Sequence, residues 1–359
     1  VLGYIFEKYI NQKAFGAYYT RPEITDYLCE RTISKLILDR VNSLYDWQSL
    51  KDCQSLTHDL PARQFKDLPD LLFKLDAPLC RELLRSILPS LSLLDPACGS
   101  GAFLVAAMKT LIAIYSAIIG RVKFIHDDGL TQWLKTIENE HKSIDYFIKK
   151  EIIKNNLYGV DIMQEATEIA KLRLFLALVS SARTVEELEP LPNIDFNIMA
   201  GNSLIGLLSV EGEKFNSLGM TGDIFRDNEA KTYTQILNDK NTLIANYKDS
   251  SSYSENLTSL RDLISDNRKN NYKKLNKLLL SEFERLQIKY EQATWDDAKN
   301  KEGKAVKRAL TLKDIEELNP FHWGYEFDGI FARGGFDAII TNPPWEVFQT
   351  DEKEFFNQL

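Results

Sequence analysis

Leu91-Ser92-Leu93-Leu94-Asp95-Pro96-Ala97-Cys98-Gly99-Ser100-Gly101 begins as a short apolar run, turns on small residues and leads into the apolar stretch Ala102 to Ile119. Strand, glycine-bearing turn and helix in that order form the repeating unit of parallel α/β sheets. In an open sheet such a turn lies at the carboxyl edge, where ligands bind, and its glycines let a ligand approach the backbone closely. The pattern recurs. Leu157 to Asp161 reads as a second strand, followed by a helix from Gln164 to Ser180. Ile194 to Ala200 reads as a third strand entering Gly201-Asn202-Ser203, and Phe336 to Thr341 as a fourth. The alternation implies parallel pairing with right-handed crossovers, hence a doubly wound α/β sheet.

Helices surround this sheet. Apolar residues at helical spacing mark Leu2 to Ile10 and Pro22 to Leu38, with Pro22 suited to a first helical turn and Thr20 to its cap. Asp39 to Pro89 mixes helical patches with prolines at 61, 69, 78 and 89. Glu229 to Leu318 is polar and rich in Lys and Asn, but Leu275, Leu278, Leu279, Phe283, Leu286 and Tyr290 recur at helical spacing, as in a helical hairpin or long helix. Its basic run, Arg268 to Lys274, suits either phosphate contacts or a solvated helix face. These readings divide the chain into a helical part (1–90), half of a ligand-binding sheet (91–228), a helical insert (229–318) and a closing strand and loop (319–359).

At 359 residues the chain can bury a sizeable core. Ala102 to Ile119 contains Lys109 and is followed by a glycine, so it reads as a buried helix rather than a membrane span. No signal peptide is visible at Val1. Cys29, Cys53, Cys80 and Cys98 show no CxxC spacing, and His58, His126, His141 and His322 do not cluster, which argues against a metal site and for a reduced, cytoplasmic setting. A net charge of −8 speaks against nucleic-acid binding by bulk electrostatics but leaves room for a local basic groove. The chain starts without Met and stops soon after the fourth strand, as a piece of a longer polypeptide would.

The chemistry concentrates at the strand ends. Asn342-Pro343-Pro344-Trp345 follows the fourth strand. The Asn342 side-chain oxygen is a hydrogen-bond acceptor, Pro343 offers only its carbonyl, and Trp345 offers a stacking face. Together these suit an exocyclic amino group on a flat heteroaromatic base, although Asn-Pro-Pro is also an ordinary strand-ending turn. Asp95 stands just before the glycines, where it would repel a phosphate and favour a ligand carrying a positive group. The Gly-x-Gly-x-x-Gly dinucleotide fingerprint is incomplete, since Gly99-Ser100-Gly101 runs on into Ala102-Phe103-Leu104. Asp161 is placed either to accept from ribose hydroxyls or to cap the next helix. Asn202 suits the adenine edge of such a nucleoside, and equally a Gly-Asn-Ser turn. Cys98 reads as a small packed residue rather than a nucleophile.

Together these motifs resemble the amino-group DNA methyltransferases, specifically the adenine-N6 branch. Gly16-Ala17-Tyr18-Tyr19-Thr20-Arg21-Pro22 resembles the cofactor motif that precedes the glycine loop there, which implies cofactor roles for Tyr19 and Thr20. Asp95 to Gly101 with Phe103 resembles the S-adenosylmethionine loop, implying contacts from Asp95, Ala97, Gly99, Gly101 and Phe103. Asp161 corresponds to the ribose acid, Gly201 to Leu204 to the third motif, and Asn342, Pro343, Pro344 and Trp345 to the catalytic tetrapeptide. Trp345 stands where many relatives carry Tyr, and Arg21 departs from the residue common before Pro22. Pro320-Phe321-His322-Trp323 leading through Gly334-Gly335-Phe336-Asp337 further resembles bifunctional type IIG restriction–modification polypeptides similar to Eco57I.

The resemblance implies methyl transfer from S-adenosylmethionine to adenine N6 in double-stranded DNA, the target base being flipped out of the helix and no metal taking part. It also implies that specificity and nuclease regions belong elsewhere in the same polypeptide. Methyl transfer to RNA or a protein glutamine, a non-catalytic cofactor- or DNA-binding scaffold, and an NAD oxidoreductase are the alternatives, the last disfavoured by the incomplete glycine fingerprint.

Overall fold

The computed structural model describes residues 20–44, 64–141, 143–182, 184, 187–217, 231–249, 256–292, 295–296, 301–302 and 306–343. The chain divides into two compact units, Val1–Met199 with Phe336–Leu359, and Ala200–Gly335.

In the first unit, helix α1 (Pro22–Leu44) buries Thr25, Cys29, Ile33, Ile37 and Val41. Residues four apart lie on one helix face, and this face packs along α2 (Ala102–Val122). The Arg21 carbonyl accepts the Thr25 N–H at 3.2 Å, so Arg21 holds the cap position and Thr20 lies one residue outside it, contrary to the sequence expectation. In the proline-rich stretch, Asp67 and Asp76 cap the short helices Leu68–Phe73 and Ala77–Glu82, each with a proline in its first turn. The prolines there start helices, as fixed φ and a missing N–H allow at that position. A π-helical turn, Leu83–Ile87, then leads to strand β1 (Leu93–Asp95).

Helix α2 is long and apolar enough to cross a membrane by composition. Its apolar residues instead fill the core of this unit, where Leu104, Met108, Leu111 and Ile118 are buried with α1 and β1 residues. Helices α3 (Asp128–Glu140) and α4 (Ile144–Asn155) follow, then β2 (Leu157–Asp161), α5 (Gln164–Val179) and β3 (Ile198–Ala200). The sequence reading had no helices between α2 and β2. Its third strand was also longer, whereas residues 195–197 form a turn before β3.

After β3 the chain builds the second unit around α6 (Tyr233–Asp249) and α7 (Asn256–Arg285), with a two-stranded ribbon of β4 (Lys289–Gln292) and β5 (Val306–Ala309). It then returns as β6 (Ala338–Ile339). The main sheet runs β3-β2-β1-β6, and β1 pairs in parallel with both β2 and β6. The amino edge of this sheet is tied by side chains. Asp337 accepts from the Ser92 N–H at 2.7 Å and hydroxyl at 2.9 Å and pairs with Arg40. Buried Asn156 donates to the carbonyls of Leu88 and Leu91, both at 2.8 Å.

In the second unit, Leu275, Leu278 and Leu279 on α7 pack with Phe215, Tyr233, Ile236 and Ile315. The helical pattern stops early: α7 ends at Arg285, Leu286 is exposed, and Tyr290 lies on β4. The basic run splits by face. Arg268 pairs with buried Glu326 at 2.6 Å, while Lys269 and Lys273 face solvent. Tyr272 also donates to Glu326, at 2.7 Å. His322 accepts at Nδ1 from the Leu207 N–H (3.3 Å) and lies 2.8 Å from the Asn276 side-chain oxygen through Nε2, which identifies it as the neutral Nε2–H tautomer. Burial holds its pKa down to about 4, in keeping with a neutral ring.

Candidate functional site

Parallel register decides what meets at the carboxyl edge of the main sheet. Leu93 and Leu94 lie opposite Leu157 and Tyr158 on one side and Ala338 and Ile339 on the other. The Ile340 N–H donates to the Leu94 carbonyl at 2.9 Å. Asp95, Asp161 and Thr341-Asn342-Pro343 therefore leave neighbouring strands at the same edge, since the strands run the same way.

The Asp95-to-Gly101 loop is organised by these acids. Asp95 accepts from the Ala97 N–H at 3.1 Å, and Asp161 accepts from the Gly99 N–H at 2.8 Å and the Met163 N–H at 2.9 Å. The Cys98 N–H reaches the Val160 carbonyl at 3.0 Å, and Arg173 on α5 donates to the Ser100 carbonyl (2.8 Å) and hydroxyl (2.9 Å). The two glycines are required for different reasons. Gly99 has φ +49° and a Cβ there would touch nothing, whereas at Gly101, φ +81°, a Cβ would lie 2.9 Å from that of Ala170. Gly99 thus answers to backbone conformation, and Gly101 also to close packing against α5.

Burial dominates the electrostatics. Asp95 is 2% exposed. Desolvation pushes its carboxyl up to about 7, against the opposing pull of Thr341 and the Ala97 N–H and with a further push from Asp161. The Thr341 hydroxyl is buried and finds no partner of standard hydrogen-bond geometry among the described residues, and its proximity to Asp95 offsets part of the burial effect. Asp161 is also raised, by burial, with its two backbone N–H bonds opposing. Two desolvated carboxylates at adjacent strand ends gain by having a cation near them and would repel a phosphate.

The residues singled out in the sequence fall in several places. Asp95, Ala97, Gly99 and Gly101 share this loop, and Asp161, at the end of β2, bonds to it through the Gly99 N–H. Phe103 lies in the first turn of α2, buried in the core. Cys98 is buried with its thiol raised well above the usual range by desolvation, as a packed residue would be. Thr20 and Asn342, far apart in sequence, meet: the Asn342 amide donates to the Thr20 hydroxyl at 3.0 Å. Asn202 belongs to the second unit, where its side-chain oxygen accepts from the Leu204 N–H at 3.1 Å and its N–H donates to the Asn319 carbonyl at 2.7 Å. Trp323 from the Pro320-to-Trp323 run caps the same turn, donating to the Ser203 carbonyl at 3.0 Å. Tyr19, Pro344 and Trp345 lie outside the described residues.

Thr341 and Arg173 were not foreseen. A threonine before the tetrapeptide reads as a strand residue, and an arginine on α5 as a solvated one; only the fold turns them toward the loop.

Residues 155–359, more than half of the chain, match the family model described as Eco57I restriction-modification methylase. Residues 77–204 match that of the MmeI DNA-methyltransferase domain. A protein of Methanocaldococcus jannaschii, named as a candidate type II restriction enzyme and methyltransferase, is 30% identical across the whole chain, which spans 31% of that relative. The Escherichia coli type II restriction enzyme and methyltransferase Eco57I is 32% identical over 31% of the chain and 11% of its own length. The resemblance to the methylase region of restriction–modification polypeptides is thereby borne out, and the chain belongs to the Eco57I-type family of restriction–modification methylases.

Proposed function

We propose that this chain is the methylase portion of a restriction–modification polypeptide and transfers a methyl group from S-adenosylmethionine to adenine N6 in double-stranded DNA. The observation that carries the reading is the parallel pairing of β1 with both β2 and β6, which brings Asn342 to the same sheet edge as Asp95 and Asp161. We read the sheet as the cofactor-binding half of a doubly wound, Rossmann-like methyltransferase fold. The relatives named for both activities are each about three or more times as long as the part matched, which supports a shared polypeptide with nuclease and specificity regions. Action on genomic DNA fits a cytoplasmic location.

The residues present suit the cofactor. Asp95, raised by burial, favours a ligand with a positive group, and each Asp161 oxygen keeps acceptor capacity beyond its one backbone N–H. When bound, S-adenosylmethionine supplies a methyl group on a sulfonium. The chain's own part concerns the acceptor. An adenine amino nitrogen is a poor nucleophile because its lone pair is delocalised into the ring. If the Asn342 oxygen and the Pro343 carbonyl each accept one amino hydrogen, the nitrogen moves toward tetrahedral geometry and its lone pair is aimed. Catalysis on this reading is positioning and hydrogen-bond electrostatics. Stacking on Trp345 would offset part of the cost of flipping the base.

Asn342→Ala tests the assignment. Calorimetry should find S-adenosylmethionine affinity within a factor of about two of wild type, while transfer of tritiated methyl to DNA is abolished. Undiminished transfer refutes the role of Asn342, and label in RNA or protein instead of DNA refutes the substrate.

A further inference from the structure

The Thr20–Asn342 hydrogen bond spans almost the whole described chain and joins two motifs that the sequence reading gave separate duties. We propose that Thr20 is a positioning residue for Asn342, an inference that rests on the proposed reaction. A carboxamide has two ends of nearly equal shape and opposite hydrogen-bond character, so a half-turn about its last bond exchanges acceptor for donor. Only the orientation with Oδ1 toward the methyl acceptor can take a hydrogen from an amino group; the reversed orientation sets donor against donor.

In the structure Nδ2 donates to Thr20 Oγ1 at 3.0 Å, and the contact is partly buried. An Asn342 amide whose Oδ1 serves the methyl acceptor would therefore have its Nδ2 end satisfied by Thr20. Arg21, rather than Thr20, holds the cap position of α1, so the Thr20 side chain is not committed to the helix start. Pro22 and the Arg21 carbonyl, which closes the first turn of α1, set the path of the backbone into the helix directly after Thr20. Thr341 and Asn342 arrive from the other side on the strand paired with β1. The packed helix and the sheet thus each contribute one side of the contact.

The variants Thr20→Val, close in shape but without a hydroxyl, and Thr20→Ser, which keeps it, provide the test. Methyl transfer from tritiated S-adenosylmethionine to mixed-sequence genomic DNA is measured at saturating cofactor, cofactor affinity by calorimetry, and hydrogen exchange of the Asn342 side-chain amide by NMR with asparagine-selective labelling. Thr20→Val should lower the saturated rate roughly tenfold, which corresponds to about 1.4 kcal/mol, leave cofactor affinity unchanged and speed Asn342 amide exchange. Thr20→Ser should stay close to wild type in all three. Weaker cofactor binding with an unchanged saturated rate returns Thr20 to the cofactor site and overturns the proposal. Unchanged Asn342 exchange in Thr20→Val overturns it whatever molecule accepts the methyl group, so a failure of the DNA reading would be seen separately.

Discussion

Gly99 and Gly101 sit two residues apart in one loop, both in the left-handed region, and substitution to alanine should separate their roles by a measurable margin. At Gly99 a Cβ meets nothing within 4 Å. Its cost is then the left-handed backbone, about 1–2 kcal/mol, reduced by roughly 0.4–1 kcal/mol because alanine restricts the unfolded chain. Gly101→Ala carries the same backbone term. In addition its Cβ would stand 2.9 Å from Ala170 Cβ and 3.2 Å from Ala170 Cα, where the obstacle is a helix backbone rather than a flexible side chain. Overpacking of this kind costs about 1–3 kcal/mol, which brings Gly101→Ala to roughly 2–4 kcal/mol against about 1 kcal/mol for Gly99→Ala. Urea unfolding followed by circular dichroism reads the difference as a shift in midpoint at constant slope. Ala170→Gly isolates the packing part: in the Gly101→Ala background it relieves the roughly 1–3 kcal/mol of overpacking less the roughly 1 kcal/mol that glycine costs within a helix, a net recovery of up to about 2 kcal/mol, whereas alone it should only destabilise. Equal losses at the two glycines, or strict additivity in the double variant, would refute the steric argument.

The other predictions concern buried charge and thiols. Asp95→Asn should abolish cofactor binding by calorimetry yet stabilise the ligand-free protein more at pH 8 than at pH 5. Burial raises the folded carboxyl from 3.8 to about 7, so between those values the folded state holds the extra proton and wild-type stability falls as pH rises; a stability difference independent of pH would contradict the raised carboxyl. Glu326→Ala leaves Arg268 and Tyr272 without their shared acceptor and should lower stability by about 3 kcal/mol, the lower end for a broken buried pair because Arg268 is 32% exposed. Thermal unfolding checks this, and a loss under 1 kcal/mol would mean that solvent replaces Glu326. Burial pushes Cys29 up to about 12, Cys80 to about 11 and Cys98 well above the usual range. Iodoacetamide at pH 8 should therefore label these three only after unfolding, and rapid labelling of Cys98 in the folded protein, located by mass spectrometry, would reopen a reactive role for it.

What could be read from the sequence alone was governed by neighbours in the chain. Residues four apart on α1, the apolar run of α2, the glycine turn and the acids ending β1 and β2 are set by helical and strand periodicity and by the backbone that glycine permits, so their order disclosed a parallel α/β sheet and the family's motifs. Where local rules compete, the reading slipped: Thr20 seemed the cap of α1 until Arg21 took that place, and the leucine pattern of α7 ran past the helix end into β4. Polar residues were the least legible, because Arg268, Asp337 or Thr341 looks the same in sequence whether it is hydrated or buried against a distant partner. Only the tertiary structure decided that Asp337 ties Ser92 and Arg40, that the Thr341 hydroxyl is buried near Asp95, and that Thr20 meets Asn342. Those pairings depend on which strands become neighbours, and that choice is made by burial of the whole core rather than by any segment within it.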